Sequence, residues 1–345
     1  MTHVMLLAAG LGARLRPVTD SWAKPAVPFL NVPLLNWGVE LLRAADIAKW
    51  VINSHHLPDT LAPLIEKTET GLKTRFTVSH EADRPLGSGG ALRTAYDCGH
   101  FAGAKTLLVG NGDEVILPLR KNLIRRFLDT HIRSGAIATL LTMDHPEAGS
   151  RFGAVWTDST GVVHGFGRDG GLFRQAPTPK HYVGIIAVEA SLLERIPTGE
   201  SNLLYDTLQD EIRKGRVVRS FNEPLVWFET GNVASYLEAT GEMLQILSPT
   251  KASGPLAHAR EHMLHVLNAW HSGDLGLWEH ANGARALYAR LQDGSLPLAA
   301  LTGVLANEKA FAVYGDNTLA TAPLINAVSL PAATVSQRTL STISL

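Results

Sequence analysis

The chain has 345 residues, which exceeds one average domain and favours a large domain with an appendage. Its formal net charge of −1 and its pI near 6.9 argue against a nucleic-acid-binding surface, so any anion site must be local. The single cysteine, Cys98, excludes an intrachain disulfide, and we expect it to be a buried structural thiol.

Neither a membrane span nor a secretion signal is expected. No apolar run reaches the ~20 residues that a membrane span needs. The apolar segment 4–13 has no basic residue before it, and Arg14 and Arg16 follow directly, which is the wrong charge order for a signal peptide. We therefore expect a cytoplasmic protein with no membrane partner.

The first predicted elements form a βαβ unit. Residues 4–8 are a continuous apolar run that stops at Gly10, as expected of a strand buried on both faces. Leu34, Trp37 and Leu41 then recur at helical spacing, and residues 50–52 are the next strand.

An antiparallel hairpin is predicted within a mostly parallel sheet. A strand at 106–110 is followed by a helix that ends at Gly135 and by a strand at 136–143. Residues 152–168 then give two strands around a turn at 158–161.

The alternation of strands and helices continues to about residue 247. A strand at 181–188 and a helix from Ser201 to Gly215 precede a closing strand pair at 217–221 and 225–229. The predicted fold class is α/β, with a mixed, mainly parallel Rossmann-like sheet flanked by helices over residues 1–247.

Residues 248–310 predict a helical extension with a histidine cluster. His258, His262 and His265 lie at i, i+4 and i+7, so one helix face could carry all three. The letters HAREH fit an inverted zinc-protease pattern, but an ordinary helical face explains them too, and we favour that interpretation.

Residues 311–345 predict a short β-helix-like coil. Val313, Leu319 and Ile325 recur every six residues, the period of a left-handed β-helix. So short a coil cannot bury its own face and would need the main domain or a second subunit. A homo-oligomer formed through this extension is therefore possible.

The loop after the first strand combines glycines with cations. Gly10 and Gly12 would let backbone N–H groups approach phosphate oxygens. A dinucleotide fingerprint needs a third glycine where Leu15 stands, and a Walker-type lysine and hydroxyl residue are absent. What remains is a loop that lies against its ligand while Arg14 and Lys24 reach over it.

This loop resembles the G-x-G-x-R-x-x-P-x-T…K-P-x-x-P signature of the sugar-1-phosphate nucleotidyltransferases. Four further stretches are similar to later motifs of that family: EADRPLGSGGAL, VGNGDEVI, GSRFGAVWTDSTGVV and WFETGNVASYLEA. The resemblance covers about residues 3–245 and is strongest to mannose-1-phosphate guanylyltransferase-like members. It implies the nucleotide-diphospho-sugar transferase fold and a role in making cell-wall or polysaccharide precursors.

The reaction implied is magnesium-dependent nucleotidyl transfer from an NTP to a sugar 1-phosphate, which yields a nucleotide sugar and pyrophosphate. The implied catalytic residues are Arg14, Lys24 and Asp113, with Asp113 and Glu229 as Mg²⁺ ligands. The implied nucleotide-binding residues are Ala8, Ala9, Gly10, Gly12, Glu81 and Gly87. The implied sugar-phosphate-binding residues are Gly153, Arg168 and Tyr182. For Arg16, a structural role is as well supported as a ligand contact.

Three departures from the family pattern leave the substrate open. Glu229 stands where the family usually has aspartate, Gly167 and Arg168 replace a glutamate–lysine pair, and Tyr182 replaces an asparagine. Mannose-1-phosphate guanylyl transfer is the best specific interpretation. Its alternatives are uridylyl transfer to an amino-sugar, muramate or glucose 1-phosphate, and a non-catalytic nucleotide-sugar-binding regulator.

Overall fold

The computed structural model describes residues 1–16, 18–20, 22–30, 32–169, 178–247 and 254–271, together with 313–314 and 328–329. The strands are β1 (Thr2–Leu7), β2 (Pro28–Phe29), β3 (Val32–Pro33), β4 (Ile47–Ser54), β5 (Phe76–His80), β6 (Thr106–Asn111), β7 (Val115–Pro118), β8 (Ala138–Met143), β9 (Ala154–Thr157), β10 (Val163–Gly167), β11 (Thr178–Glu189), β12 (Val218–Asn222), β13 (Leu225–Phe228), β14 (Val313–Tyr314) and β15 (Val328–Ser329). The helices are α1 (Leu34–Leu42), α2 (Pro58–Leu72), α3 (Gly87–Asp97), α4 (Leu123–Ser134), α5 (Gln209–Arg213), α6 (Val233–Leu247) and α7 (Pro255–His271).

A nine-stranded mixed sheet organises the described chain. Strands β6, β1, β4 and β5 are parallel neighbours in that order, and β11 joins antiparallel beside β6. Strand β11 also pairs with β8 and β9, while β12 runs parallel to β8. The predicted α/β fold class is therefore confirmed.

The core is double because the central strands are buried on both faces. Val4 and Leu6 of β1 pack into one apolar cluster, and Met5 between them packs into the other. Residues of α1, α4 and α7 belong to the first cluster, whereas α3 belongs to the second. This two-sided burial explains why β1 is a continuous apolar run in the sequence.

The predicted hairpin is confirmed, but the predicted closing strand pair is wrong. Strands β9 and β10 pair antiparallel, and Asp158 accepts backbone hydrogen bonds across their turn. Strand β12 pairs with β8, while β13 pairs with β7 in a separate small sheet. Only Glu223 and Pro224 separate the two strands, and proline cannot adopt the positive φ that a tight hairpin turn needs at these positions.

Cys98 is exposed, so the prediction of a buried thiol is also wrong. Helix α3 ends one residue before it, and Gly99 then turns the chain with a φ of +74°. The side chain consequently points away from the core that Leu92 and Ala95 help to form.

Helix α7 is the part of the predicted extension that the structure describes in detail. Its Met263, Val266 and Trp270 are buried in the first apolar cluster, so α7 packs on the main domain. In the predicted coil, the described residues are β14 and β15, which pair in parallel. The rest of residues 272–345, including Leu319 and Ile325, lies outside the described residues, so the proposed domain boundaries and the oligomer stay predictions. Within the described part of the chain, no helix has the length and apolarity to cross a membrane.

Candidate active site

A cleft of about 240 Å³ opens at the carboxyl ends of β1, β4 and β6. Strand β1 has β4 on one side and β6 on the other, and open α/β sheets bind ligands where the chain leaves in opposite directions from neighbouring strands. The lining residues are Leu7, Ala8, Ala9, Gly10, Lys24, Pro25, Asn53, Glu81, Pro85, Gly87, Ser88, Asn111 and Asp113. Seven residues predicted from the sequence are in this set: Ala8, Ala9, Gly10, Lys24, Glu81, Gly87 and Asp113.

The two loop glycines differ in what surrounds them. A Cβ atom on Gly10 would meet nothing within 4 Å, so this glycine leaves the cleft open. Gly12 has a φ of +62°, and a Cβ there would lie 2.8 Å from Cγ2 of Thr19. The Thr19 hydroxyl donates to the Gly12 carbonyl at 2.8 Å. Gly12 therefore shapes the loop and is not a lining residue of the cleft.

A hydrogen-bond chain fixes the cleft floor. The Ala8 N–H donates to Oδ1 of Asn53 at 2.6 Å, and Nδ2 of Asn53 donates to Oε1 of Glu81 at 2.6 Å. Oε2 of Glu81 accepts from the Leu86 N–H at 2.7 Å. Sequence reasoning missed Asn53, although a polar residue near the carboxyl end of a buried strand is a usable signal.

Lys24 and Asp113 form an ion pair at the cleft, although 89 residues separate them in sequence. Their side chains are 13% and 25% exposed, so the pair is shielded from solvent. Burial alone would lower the pKa of Lys24, but the charge and hydrogen bond of Asp113 outweigh it, with help from Glu114 and Glu229, and the pKa is raised. Lys24 is therefore a permanently charged group at this position.

Glu114 is a second residue near the site that sequence reasoning missed. Nδ2 of Asn111 donates to its Oε1 at 2.9 Å, and Nε1 of Trp227 donates to its Oε2 at 2.7 Å. A Cβ on Gly184 would lie 2.6 Å from Oε1, so a glycine is required above it. Burial of the carboxyl group and the neighbouring charge of Asp113 raise the pKa of Glu114 to about 7.

Arg14 and Glu229 meet at Gly231. A Cβ on Gly231 would clash with Oε1 of Glu229 and would lie 2.7 Å from Nη2 of Arg14. The Gly231 N–H donates to Oε1 of Glu229 at 2.6 Å, and the Thr230 hydroxyl donates to the Asp113 carbonyl at 3.0 Å. The loop that carries Glu229 is thereby held beside Asp113.

The glycine-rich stretch at 87–90 serves packing as well as the cleft. Gly87 has a φ of +72°, and a Cβ there would lie 2.5 Å from the Ser201 carbonyl oxygen. That oxygen accepts from the Gly89 N–H at 2.9 Å and from the Gly90 N–H at 3.3 Å. The start of α3 is therefore capped by residue 201, which sequence reasoning did not predict.

The three predicted sugar-phosphate residues lie outside the lining set of the cleft. A Cβ on Gly153 would lie 3.1 Å from the Tyr205 hydroxyl, and Nη2 of Arg168 donates to the Arg151 carbonyl at 3.1 Å. Tyr182 is half-buried on β11, and burial, followed by the charge of Glu114, raises its pKa. Of the three, Tyr182 is thus the residue tied electrostatically to the site.

The two predicted metal ligands have a suitable chemistry. Asp113 and Glu229 supply the hard carboxylate oxygens that Mg²⁺ prefers. Among the described residues, no cluster of three or more histidine, cysteine, aspartate or glutamate side chains is arranged to hold a metal. Two carboxylates fit the usual pattern for Mg²⁺, in which substrate phosphates and water complete the shell.

Comparison with known proteins supports a resemblance to one family. Residues 3–167 match the model described as Nucleotidyl transferase. The matched segment is just under half of the chain, and it is similar to this family. The match contains the glycine loop, Lys24, Glu81 and Asp113, and it confirms the resemblance drawn from the motifs and the prediction of a nucleotidyltransferase.

Curated proteins with similar sequences act, by their names, on different substrates. The chain is 28% identical over 269 residues to mannose-1-phosphate guanylyltransferase 1 of Arabidopsis thaliana. The aligned region covers 73% of this chain and 68% of the relative. The chain is 28% identical over 244 residues to a UTP–glucose-1-phosphate uridylyltransferase of Synechocystis, covering 68% and 61%. It is 27% identical over 254 residues to a glucose-1-phosphate thymidylyltransferase of Streptomyces griseus, covering 71% and 67%. The chain thus spans about two thirds of these relatives' lengths.

Solved structures agree with the fold. HddC from Yersinia pseudotuberculosis superposes with a TM-score of 0.56 at 21% identity, covering 70% of this chain and all of that one. Its complex with GMP-PN gives a TM-score of 0.54 at 20% identity, with the same coverage. At this identity the likeness supports the fold alone.

Proposed function

We propose that this nucleotidyltransferase transfers a nucleotidyl group from an NTP to a sugar 1-phosphate. The observation that carries the proposal is the half-buried Lys24–Asp113 ion pair that lines the cleft. A cation and a carboxylate held there suit the joining of two phosphorylated substrates. The named activities of the relatives all belong to this reaction class.

The cleft is proposed to hold the nucleotide. Gly10 offers open backbone, and the Asn53 bridge fixes Ala8 beside it. Both oxygens of Glu81 are engaged by Asn53 and Leu86, so we assign Glu81 to positioning the floor. The nucleotide would then meet mainly backbone and small side chains.

Charge neutralisation is the main task of the proposed site. Two like charges ~4 Å apart repel by about 4 kcal/mol at an effective dielectric of 20, and a phosphate monoester approaching a triphosphate brings several such pairs together. Lys24 would lie between the sugar phosphate and the α-phosphate, and Arg14 would hold the departing β- and γ-phosphates. Positioning and electrostatic stabilisation of this kind dominate phosphoryl-transfer catalysis.

A general base is not required. The second pKa of a phosphate monoester is near ~6, so the attacking oxygen is already an anion at neutral pH. This oxygen forms a bond to the α-phosphorus while the bond from that phosphorus to the bridging α,β oxygen breaks, and pyrophosphate leaves with the electron pair. Asp113 and Glu229 would hold Mg²⁺, which supplies neutralisation of phosphate charge when bound.

For the specific substrates we propose GTP and mannose 1-phosphate. The supporting facts are the name of the Arabidopsis relative and the binding of GMP-PN by a structure of the same fold. Two other relatives are named as glucose-1-phosphate uridylyl- and thymidylyltransferases, so the alternative substrates are UTP or dTTP with glucose 1-phosphate. Glu114 and Tyr182 are proposed to take part in sugar selection, because they interact electrostatically with each other and Glu114 interacts with Asp113.

A matrix of nucleoside triphosphates and sugar 1-phosphates with Mg²⁺, scored by pyrophosphate release, tests the proposal. Lys24→Met should lower kcat/KM with the best pair by about 10² to 10³-fold, because a charge-stabilising donor is lost. The control is Lys105→Met, since Lys105 is exposed at the opposite end of β6. No release with any pair, together with tight binding of a nucleotide sugar, would favour the non-catalytic regulator instead.

A further inference from the structure

Two consecutive histidines stand where β4 ends, beside the cleft but not in its lining. Strand β4 ends at Ser54, and His55 and His56 belong to residues 55–60, which join it to the first turn of α2 and which we call the β4–α2 connection. Both histidines are half-buried, and neither lines the cleft. Any part they take in the reaction must therefore be to hold other residues in place.

His55 holds the cleft wall that contains Glu81. Nδ1 of His55 lies 2.6 Å from the Glu81 carbonyl oxygen. A carbonyl oxygen can only accept, so Nδ1 must carry the hydrogen. The Glu81 N–H donates to the Ser54 carbonyl at 2.8 Å, and the Glu81 side chain is bonded to Asn53 and Leu86 as described above. This wall is thereby joined to the end of β4 through both backbone and side chains.

His56 holds the loop that carries the cations. Nε2 of His56 lies 2.8 Å from the Thr19 carbonyl oxygen, so here Nε2 must carry the hydrogen. Thr19 is buried, and its hydroxyl donates to the Gly12 carbonyl at 2.8 Å. Arg14 lies two residues further, in the short 3₁₀ turn Ala13–Leu15. Two hydrogen bonds in series thus connect His56 to the turn that presents Arg14.

The other end of the same loop is bonded to the β4–α2 connection as well. The Ala23 N–H donates to Oγ1 of Thr60 at 2.9 Å. Ala23 directly precedes Lys24, the cation that pairs with Asp113 in the cleft. The connection therefore holds the loop near each of its two proposed phosphate-binding cations.

The order of the strands explains why two adjacent histidines can hold two different segments. Strand β4 has β1 on one side and β5 on the other. The loop from Gly10 to Lys24 follows β1, and Glu81 follows β5. Adjacent residues of an extended chain point in opposite directions, so consecutive side chains at the end of the middle strand can reach both neighbours.

Strained backbone directly follows the two histidines. Leu57 has a φ of +49°, a left-handed conformation that is costly for a residue other than glycine. Its carbonyl oxygen accepts from the Thr60 N–H at 3.0 Å and from the Thr60 hydroxyl at 2.8 Å. Strain of this kind persists where surrounding contacts impose it, and it is concentrated at functional sites. It is an observation independent of the histidine hydrogen bonds.

We propose that His55 and His56 are positioning residues for nucleotidyl transfer, which fix the segments after β5 and β1 relative to each other. The proposal rests on the proposed function, because the groups that they hold are those assigned to the nucleotide and its phosphates. Transfer requires Arg14 and Lys24 to meet the phosphates of a nucleotide that lies against Glu81 and its neighbours. A small misplacement of such groups is enough to slow a reaction, even when it originates away from the chemistry.

Pyrophosphate release by His56→Ala and His56→Gln tests the proposal. Glutamine carries an amide N–H at about the distance of the ring Nε2, so it can replace the donor. His56→Ala should lower kcat/KM about tenfold, and His56→Gln should stay within about threefold of the unmodified chain. The control is His164→Ala, which removes a histidine 3.1 Å from Oδ2 of Asp158 at the turn of the β9–β10 hairpin and should leave kcat/KM unchanged.

The assays are made under conditions in which tryptophan fluorescence shows every variant to be folded. A merely structural role lowers stability alone, so it would leave kcat/KM the same in all three variants and would overturn the proposal. If the unmodified chain releases no pyrophosphate with any substrate pair, the proposed function fails and this proposal fails with it. If the unmodified chain is active and His56→Ala is as active, only this proposal fails.

The histidine tautomers test the geometry without an activity measurement. In the neutral rings, the two carbonyl partners require hydrogen on Nδ1 of His55 and on Nε2 of His56. NMR of the full chain with ¹⁵N-labelled histidine at mildly alkaline pH distinguishes these tautomers, and His55→Asn and His56→Gln assign the signals. The predicted pair of different tautomers supports the proposal, and the opposite tautomer at either residue overturns it.

Discussion

At the scale of single residues, Arg14 and Arg16 offer a matched comparison within one loop. Nε of Arg16 pairs with Oδ1 of Asp20 at 3.0 Å, and both side chains are more than half exposed, so the pair lies on the surface. Arg14 is directed instead at Gly231 and Glu229 beside the site. The sequence left Arg16 undecided between two roles, and its pairing favours the structural one.

Arg14→Gln should therefore lower kcat/KM for pyrophosphate release by about 10²-fold or more, because the leaving pyrophosphate loses its cation. Arg16→Gln should stay within about twofold of the unmodified chain, since a surface ion pair contributes little. Steady-state kinetics with the best substrate pair would measure both. Equal losses in the two variants would contradict the assignment of Arg14.

At the scale of elements, the docking of α3 depends on glycines that a ligand-binding motif alone would not explain. Gly89 and Gly90 lie against residues 199–202, and a Cβ on Gly90 would clash with the Gly199 carbonyl oxygen. The same stretch lines the cleft through Gly87 and Ser88. Glycine is thus required in this stretch for two reasons: some positions pack closely against a neighbouring loop, and others leave room for a ligand.

Gly90→Ala should destabilise the fold by about 1–3 kcal/mol, the usual cost of forcing extra volume into a packed site. Gly10→Ala is the matched control, because a Cβ there meets nothing within 4 Å. That variant should keep the unfolding free energy and lose nucleotide affinity. Urea unfolding and a nucleotide titration would separate the two effects, and equal destabilisation would contradict this division.

Local pattern predicted most of the strands and helices, but the pairings that it predicted correctly join strands that follow one another along the chain. Strand β1, helix α1 and strand β4 follow from two-sided burial and helical spacing, and the β9–β10 hairpin follows from its turn. The pairing of β12 with β8 and of β13 with β7 depends on chain segments about 80 to 110 residues away. The sequence around β12 and β13 does not indicate which distant strand each of them pairs with.

The site residues also fall into two groups, those that the sequence predicts and those that only the tertiary structure shows. The loop from Gly10 to Lys24 carries its chemistry in one stretch, so its role was open to prediction from the sequence. Asn53 and Glu114 act through Ala8, Glu81 and Trp227, which only the folded sheet brings near them. Residues whose function is to join distant segments need the tertiary structure to be found.

At the scale of the whole molecule, buried neutral histidines link the fold to pH. His131 is buried on α4 with Nδ1 2.9 Å from the Thr139 hydroxyl, and burial lowers its pKa to about 4. His181 is buried among His145, Phe152 and Trp227, with neither ring nitrogen bonded to a described residue. Burial, followed by the neighbouring His145, lowers its pKa to about 4 as well.

The sign of the resulting pH effect follows from these lowered values. An unfolded histidine has a pKa near 6.5, so between pH 6.5 and 4 the unfolded chain binds more protons than the folded one. Stability contributed by a neutral buried histidine is complete above pH 6.5 and is lost as the pH falls toward 4. A folded pKa of about 4 makes the loss about 2 kcal/mol per histidine on going from pH 7.5 to pH 5.

His181→Phe should remove one such contribution while filling a similar volume within an aromatic cluster. At pH 7.5 the variant should match or exceed the unmodified chain in unfolding free energy, because two unbonded polar atoms are replaced by carbon. Between pH 7.5 and pH 5 it should lose about 2 kcal/mol less than the unmodified chain. Urea unfolding at both pH values, followed by tryptophan fluorescence, would measure this. An identical pH dependence in the two proteins would mean that His181 is not held neutral by the fold.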